Sequence, residues 1–397
     1  MKALRLLFVH DHPFFKQNEK VFSGGSFPKE VWKRYLNCFS SLQVIGRGTK
    51  KIENVKGLVE STHDKVTFNL LFEVSGGFDY FKKSKQIKKK LEEAVNNSDV
   101  VVIRMPSIIG LYCATLCIKM KKPYITEVVG CAWDANWNYG SLPIKLITPY
   151  LFFKTKRVIR KSEASIYVTK EFLQKRYPNP GKLTAYASNV EINDFPKQVL
   201  DNHVHLLKDT KKTLQIGLIG NLNVKYKGFD TIMKALQIVK KNSSINFQLN
   251  LVGGGSKEYV NSLIKKFQLH EQVNIIGRLQ SGEKVFDFLD SLNLYVQPSK
   301  TEGLPRAVIE AMGRGCPVLA SAIGGIPELL DKKYLHNPGD YKMLAKQLLF
   351  FLPNTSELVN MSIQNFKKSK EYSNDILTKR RDTFWGEVTK LVNQNHV

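Results

Sequence analysis

The sequence predicts an α/β protein of two domains, each a parallel sheet covered by helices on both faces. Three observations carry that prediction. The chain has 397 residues, too many for one compact core of ordinary size and about right for two. Short, unbroken apolar runs alternate with amphipathic stretches from end to end, the pattern of a sheet buried on both sides. The alternation halts at a polar stretch near residue 194 and then starts again.

Taken in order, Leu4–Val9 is a continuous apolar run and reads as the first strand, ending in His10-Asp11-His12. The run is too short for a secretory signal and has no small-residue cleavage site, so the chain is expected to stay inside the cell. Pro28–Phe39 is amphipathic, Val66–Phe72 reads as a strand and Phe81–Val95 as a lysine-rich helix. Val100–Ile103, Tyr124–Val129 and Ala164–Val168 are further buried strands, with helical segments between. Asp194–Lys212 carries Pro196, two histidines and few periodic apolar positions, and reads as a linker. The pattern resumes with strands at Leu214–Ile219, Phe247–Val252, Val273–Ile276, Leu294–Val296 and Pro317–Ala320. Helices are expected over Thr231–Lys240, Glu258–Phe267, Lys284–Ser291, Pro305–Gly313 and Met343–Phe351. The expected domains are 1–195, a linker 196–212, and 213–370, with 371–397 a helical segment that can pack back on the first domain. Two such sheets facing each other form a cleft at the carboxyl ends of their strands, where open α/β sheets bind ligands.

Composition narrows the class. Hydrophobic residues make up 43% and charged residues 24%, which excludes a disordered chain. No run of about 18 apolar residues is free of charge, so a spanning helix is not expected. The five cysteines, Cys38, Cys113, Cys117, Cys131 and Cys316, are odd in number and form no framework, which fits a reducing compartment. Net charge is +25, with +15 in residues 1–195 and +10 in the remainder. Such a field attracts polyanions: nucleic acid, anionic lipid or phosphate-bearing substrates.

The strongest chemical signal is Pro298-Ser299-Lys300-Thr301-Glu302-Gly303-Leu304-Pro305, running into Arg306-Ala307-Val308-Ile309-Glu310-Ala311-Met312. It follows an apolar strand and opens a helix, with Pro305 as a first-turn proline. The N–H groups of Gly303, Leu304 and Arg306 make a seat for phosphate at that helix's N-terminus. Glu302 before the seat and Glu310 after it can each accept paired hydroxyls. A nucleotide sugar has hydroxyls at both ends and phosphates between. Two surface glutamates would be the plain reading, but Glu310 lies within an apolar run, where a carboxylate needs a partner.

With Gly315-Cys316-Pro317-Val318 and Gly324-Gly325-Ile326-Pro327-Glu328, this Glu-x7-Glu segment resembles the retaining glycosyltransferases of family 4 (group 1), which have the GT-B fold. Gly220-Asn221-Leu222 with Lys227-Gly228-Phe229-Asp230 is similar to that family's diphosphate-binding segment, and Leu251-Val252-Gly253-Gly254-Gly255 to its next glycine turn. The matches keep the family's order over residues 213–340, while the first half matches loosely, as acceptor-side domains do. The resemblance implies two Rossmann-like domains and a nucleoside diphosphate sugar as donor, UDP or GDP. It implies a glycan or lipid-linked acceptor, transfer with retention, and no obligatory metal or cofactor. It assigns donor-sugar hydroxyls to Glu302, the ribose diol to Glu310 and the diphosphate to Lys227. Two departures stand out: Asn221 occupies the usual place of an arginine, with Lys225 a candidate substitute, and Pro305 replaces the usual second glycine.

Weaker signals complete the reading. Gly24 and Gly25, in Ser23-Gly24-Gly25-Ser26, can offer N–H groups to the donor phosphates or form an ordinary loop of small residues. His10 and His12 lack a third metal ligand and are expected in hydrogen bonding or solvation. Glu127, Asp134 and Arg104, at strand ends of the first domain, can orient an acceptor hydroxyl or serve structure. The triple glycine at Gly253 lacks the rest of a dinucleotide fingerprint. Ser141–Ser162 holds six basic residues and no acid, interleaved with apolar ones, which suits the surface of an anionic bilayer, with the Lys82–Lys90 cluster adding to that face. The expected protein is a cytoplasmic or inner-face-bound glycosyltransferase of cell-surface polysaccharide synthesis that takes no nucleic acid. A non-catalytic basic protein binding nucleic acid or membrane, and another GT-B enzyme such as a nucleotide-sugar epimerase, are the alternatives.

Overall fold

The computed structural model describes residues 3–25, 27–49, 55, 57–72, 83–139, 142–209 and 213–394. Of the residues singled out above, Ser26, Phe81, Lys82, Ser141 and the final three of the expected linker lie outside that set. Contacts divide the chain into two units, residues up to Ala187 with the chain from Leu377 onward, and Ser188–Ile376. The division falls before the expected boundary at 195.

In the first unit the strands are β1 (Arg5–Gln17), β2 (Lys20–Ser23), β3 (Ser41–Thr49), β4 (Val59–Glu60), β5 (Val66–Phe68), β6 (Leu71–Phe72), β7 (Val100–Met105), β8 (Tyr124–Val128), β9 (Ala164–Tyr167) and β10 (Leu183–Tyr186). The order β10-β9-β8-β7-β1-β3 is parallel throughout, and β3 goes on to pair with β5 and β6. The expected strand over Val66–Phe72 is therefore two short ones. Strand β1 does not stop at Val9 either. Its second half finds a new partner, Phe14–Gln17 pairing antiparallel with β2, so His10-Asp11-His12 lies within a strand. Asp11 caps the helix Ile108–Met120, accepting from the N–H groups of Ile108 at 2.5 Å and Ile109 at 3.0 Å. Cys113 and Cys117 of that helix are buried in the core.

The helix Asn374–Gln394 buries Leu377, Phe384, Trp385, Val388 and Val392. Trp385 lies against Tyr35 and Phe39, with ring centroids 5.5 and 5.9 Å apart. The last residues described thus complete the core of the first unit.

The second unit holds β11 (Leu214–Ile219), β12 (Phe247–Val252), β13 (Val273–Gly277), β14 (Leu294–Gln297), β15 (Val318–Ser321) and β16 (Leu335–His336). They lie in the order β13-β12-β11-β14-β15-β16, all parallel. This is the doubly wound order, and the direction of winding reverses between β11 and β14. Phe229, Ile232, Met233 and Leu236 of the helix Phe229–Asn242 share one buried core with Leu249 and Leu251 of β12. The expected linker is corrected here. Lys197–Lys208 is a helix opened by Pro196, and it buries His203 and Leu207. A histidine at an inward position hid the helical period. Burial lowers its pKa to about 4, so it sits there as a neutral ring.

Candidate active site

A parallel α/β sheet leaves a crevice at the carboxyl ends of the two strands where its winding reverses. Here those strands are β11 and β14. After β11 the chain turns through Gly220-Asn221-Leu222, and after β14 it runs from Pro298 to Pro305. The turns are packed so closely that side chains are excluded. A Cβ at Gly253 would lie 1.7 Å from the Gly220 carbonyl oxygen, and one at Gly228, where φ is +78°, would lie 2.0 Å from that of Pro298. The short 3-10 turn Lys225–Lys227 ends on Gly228 and sends the Lys227 side chain past Gly220 toward the end of β14.

Lys227 Nζ meets Glu302 Oε1 there at 2.7 Å, with both side chains largely buried. The same oxygen accepts from Ser299 Oγ at 2.7 Å and Gln297 Nε2 at 3.0 Å. Gln297 is itself held, accepting from the Tyr295 hydroxyl at 2.5 Å and donating to Ser299 Oγ at 2.8 Å. One carboxylate oxygen therefore collects a cation, a hydroxyl and an amide. Burial pulls the Lys227 ammonium toward a lower pKa, but the Glu302 carboxylate outweighs it and holds the lysine above its ordinary value. Beside this pair Lys300 Nζ bonds both oxygens of Asp230, at 3.1 and 2.8 Å, and its backbone N–H donates to the Tyr226 carbonyl at 2.7 Å. The loop after β14 is thus fastened to the segment after β11 at three points.

The helix Arg306–Gly313 begins just beyond, with Pro305 at its N-cap, one position before the first turn expected for it. Gly303 and Leu304 form the half-buried approach to that helix. A second loop locks them: Gly325 N–H donates to the Gly303 carbonyl at 2.6 Å, and a Cβ at Gly324 would lie 2.2 Å from the Glu302 carbonyl oxygen. Glu310, one and a half turns into the helix, is half-buried. Burial pushes its carboxyl above the ordinary value, Arg306 draws it back, and Glu191 adds to the rise. Asn221 and Lys225 are exposed. The Asn221 side-chain oxygen closes a turn by accepting from Asn223 N–H at 2.9 Å, and the Lys225 ammonium lies over the Tyr259 ring at 5.8 Å.

Among the first unit's candidates, Arg104 and Glu127 form a buried ion pair at 3.0 Å across β7 and β8, and the Tyr35 hydroxyl donates to the other Glu127 oxygen at 2.7 Å. Both oxygens of Glu127 are engaged with the protein. Asp134 is buried, reached by Arg176 at 3.4 Å through one oxygen, while its Oδ2 has no partner among the described residues. Gly24 and Gly25 follow β2, the return strand of a hairpin, instead of the first strand. His10 and His12 are half-buried and hold pKa values below the ordinary one, His12 at about 4, chiefly through desolvation. Among the described residues no group of three His, Cys, Asp or Glu side chains is placed to hold a metal ion.

Residues 202–369 match the family model described as glycosyl transferases group 1. Protein CapJ of Staphylococcus aureus is 32% identical over 391 residues, 98% of this chain and 97% of that protein. The chain belongs to the group 1 glycosyltransferases. The O-antigen biosynthesis glycosyltransferase WclY of Escherichia coli is 27% identical over 64% of this chain and 70% of its own length. Anabaena HepE, solved in complex with UDP-glucose, shares the fold at 14% identity and a TM-score of 0.65, over 98% of this chain and all of that one.

This glycosyltransferase has the two-domain α/β architecture with parallel sheets that the sequence predicts, matching GT-B neighbours. Family membership overturns the alternative of a basic protein without catalysis. Sequence reasoning passed over Gln297, Ser299, Lys300 and Asp230. Ser299, Lys300 and Asp230 lay inside segments already singled out, and Gln297 is the polar end of an apolar strand, so the signal was present but its pairing was not.

Proposed function

We propose that the crevice at the ends of β11 and β14 holds a nucleoside diphosphate sugar, and that the enzyme moves its sugar to a glycan or lipid-linked acceptor with retention, as in family 4. One observation carries the reading: the Lys227–Glu302 pair, 2.7 Å apart, at the winding reversal of the second sheet. Lys227 turns from Glu302 to a diphosphate oxygen, and a Glu302 oxygen then takes a hydroxyl of the donor sugar. Glu310 takes the ribose hydroxyls. The N–H groups of Gly303 and Leu304 face the phosphates, with Asn221 and Lys225 as further donors to them. The bond from the anomeric carbon to the diphosphate oxygen breaks, the bond to the acceptor oxygen forms on the same face, and the acceptor proton passes to the departing diphosphate. The protein supplies positioning and stabilises the leaving charge, so the reading calls for no metal or cofactor. Asp134, with its unpartnered oxygen, is the first choice among the acceptor-side residues, ahead of Glu127 and Arg104.

The acceptor class is drawn from relatives such as WclY, named for O-antigen biosynthesis, which favours cell-surface polysaccharide. Five unpaired cysteines, four of them buried, fit the reducing cytoplasm. Thermal unfolding with UDP, GDP and their sugars tests the donor. A ligand at a hundred times its Kd raises stability by about 2.7 kcal/mol, and no shift with any of them sinks the reading. The anomeric proton of the product, followed by NMR from the first turnover, reports retention or inversion. Donor conversion without an acceptor would instead point to an epimerase.

A further inference from the structure

The helix Leu142–Lys161 has two apolar faces where a surface helix needs one. Thr155, Val158 and Ile159 point into the first unit. Leu142, Leu146, Tyr150 and Phe153 do not: they are 79, 83, 62 and 64% exposed. Their spacing of four, four and three residues places them along a single outward stripe. Trp137 of the preceding helix Ala132–Tyr139 is also about half exposed. A contiguous outward row of large apolar side chains marks an interaction surface.

The surrounding charge says what covers it. The helix carries Lys145, Lys154, Lys156, Arg157, Arg160 and Lys161 and not one acid. Two of these lie over aromatic rings of this face, Lys154 over Tyr150 of the stripe at 5.4 Å and Lys145 over Trp137 beside it at 5.8 Å. A second copy docking face to face would bring like charges together. A bilayer with acidic headgroups gives the lysines and arginines counter-charges and takes the leucines and aromatic rings at the acyl boundary. Among the described residues no helix is long and apolar enough to cross a membrane. We propose that the stripe Leu142-Leu146-Tyr150-Phe153, with Trp137 beside it, docks this enzyme on an anionic lipid surface, the helix lying in the interface. The docking face belongs to the first unit, and it stands whether or not the donor crevice is occupied as proposed above.

The test uses the full-length protein with vesicles of phosphatidylcholine alone or mixed with phosphatidylglycerol. Wild type is expected to prefer the mixed vesicles by at least about tenfold, and brominated lipid is expected to quench tryptophan fluorescence, with most of the quenching lost in Trp137→Phe. The triple substitution Leu146→Ser, Tyr150→Ser, Phe153→Ser is expected to reduce vesicle binding at least about tenfold at constant salt while its thermal unfolding matches wild type. Lys154→Glu with Arg157→Glu is expected to reduce it by a similar factor, and carries the test should the triple variant unfold. Wild type remaining in solution at low salt overturns the proposal. So does a triple variant that binds as wild type, since adsorption would then be by charge alone. A concentration-dependent dimer lost in the triple variant also overturns it, making a second copy the occupant.

Discussion

Glu302 and Lys227 stand 75 positions apart in sequence and 2.7 Å apart in space, so each is half of the other's environment. Removing one strands the other. Lys227→Ala is expected to lower thermal stability, and adding Glu302→Gln to it is expected to recover part of the loss, because the buried carboxylate left without its cation becomes a neutral amide. Calorimetry with ligands adds a second signature: Lys227→Ala raises the Kd of the nucleoside diphosphate by about 1.5–3 kcal/mol and leaves the nucleoside nearly unchanged. An equal loss for both makes the lysine structural. Glu310 behaves in the opposite sense. Its folded pKa lies above the ordinary carboxylate value, chiefly through burial, so its charge costs stability. That cost is absent below the unfolded pKa and grows as pH rises through the folded one. Glu310→Gln is therefore expected to melt higher than wild type at pH 8 and level with it near pH 4, while binding the donor more weakly. A variant that melts lower at pH 8 would show the carboxylate to be a stabilising contact. Both glutamates were legible in the sequence because their spacing and the following helix start are local. Gln297, which aligns Glu302, and the Lys300–Asp230 clasp were not, because pairing at such distances is decided by strand order.

Among the elements, the second unit was the more legible. Its strands are short apolar runs buried on both faces, and β11, β12 and β14 fall within a residue of their expected ends. The first unit's misses have separate causes. Strand β3 interrupts its apolar residues with Gln43 and Arg47, and β10 is a sheet edge with no fully buried residue. The first strand outran its apolar run because hairpin pairing, and not burial alone, extends it. The helix Lys197–Lys208 read as a linker because His203 replaced an apolar contact. Glycine positions deserve a sharper test. At Gly228 both the positive φ and the Pro298 carbonyl exclude a side chain, so Gly228→Ala is expected to cost at least about 1–3 kcal/mol and to shift Lys227 with it. Differential scanning calorimetry reads the first effect and loss of diphosphate binding the second. A Gly228→Ala protein that melts and binds like wild type would mean the turn yields at little cost.

At the scale of the whole molecule, the second unit is one uninterrupted stretch, Ser188–Ile376, while the first is assembled from two. Of the residues assigned to the donor, Lys227, Glu302, Gly303, Leu304 and Glu310 lie within that stretch. A fragment spanning 188–376 is expected to fold alone and to show diphosphate-dependent stabilisation. A fragment of 1–187 is expected to be poorly folded, because it lacks Trp385 and Phe384, and to recover when a peptide covering 377–394 is supplied. Circular dichroism melting of the two fragments checks this, and a cooperative transition in 1–187 alone would count against it. Charge belongs to this scale too. An excess of +25 identified a preference for anionic partners, but only the outward row on Leu142–Lys161 separates apolar side chains that face the core from those that do not.

The return of the helix Asn374–Gln394 to the first unit also fixes a timetable. Residues leave the ribosome in order, yet the first half cannot close its core around Tyr35 and Phe39 until Trp385 has emerged. The later-made unit is free to mature first, and the earlier one waits with its aromatic surface uncovered while residues 188–376 are made. A stop codon placed before Leu377 would leave the donor residues of the second unit untouched. It would nonetheless leave the earlier half permanently in its waiting state, exposed to aggregation and to quality-control proteases.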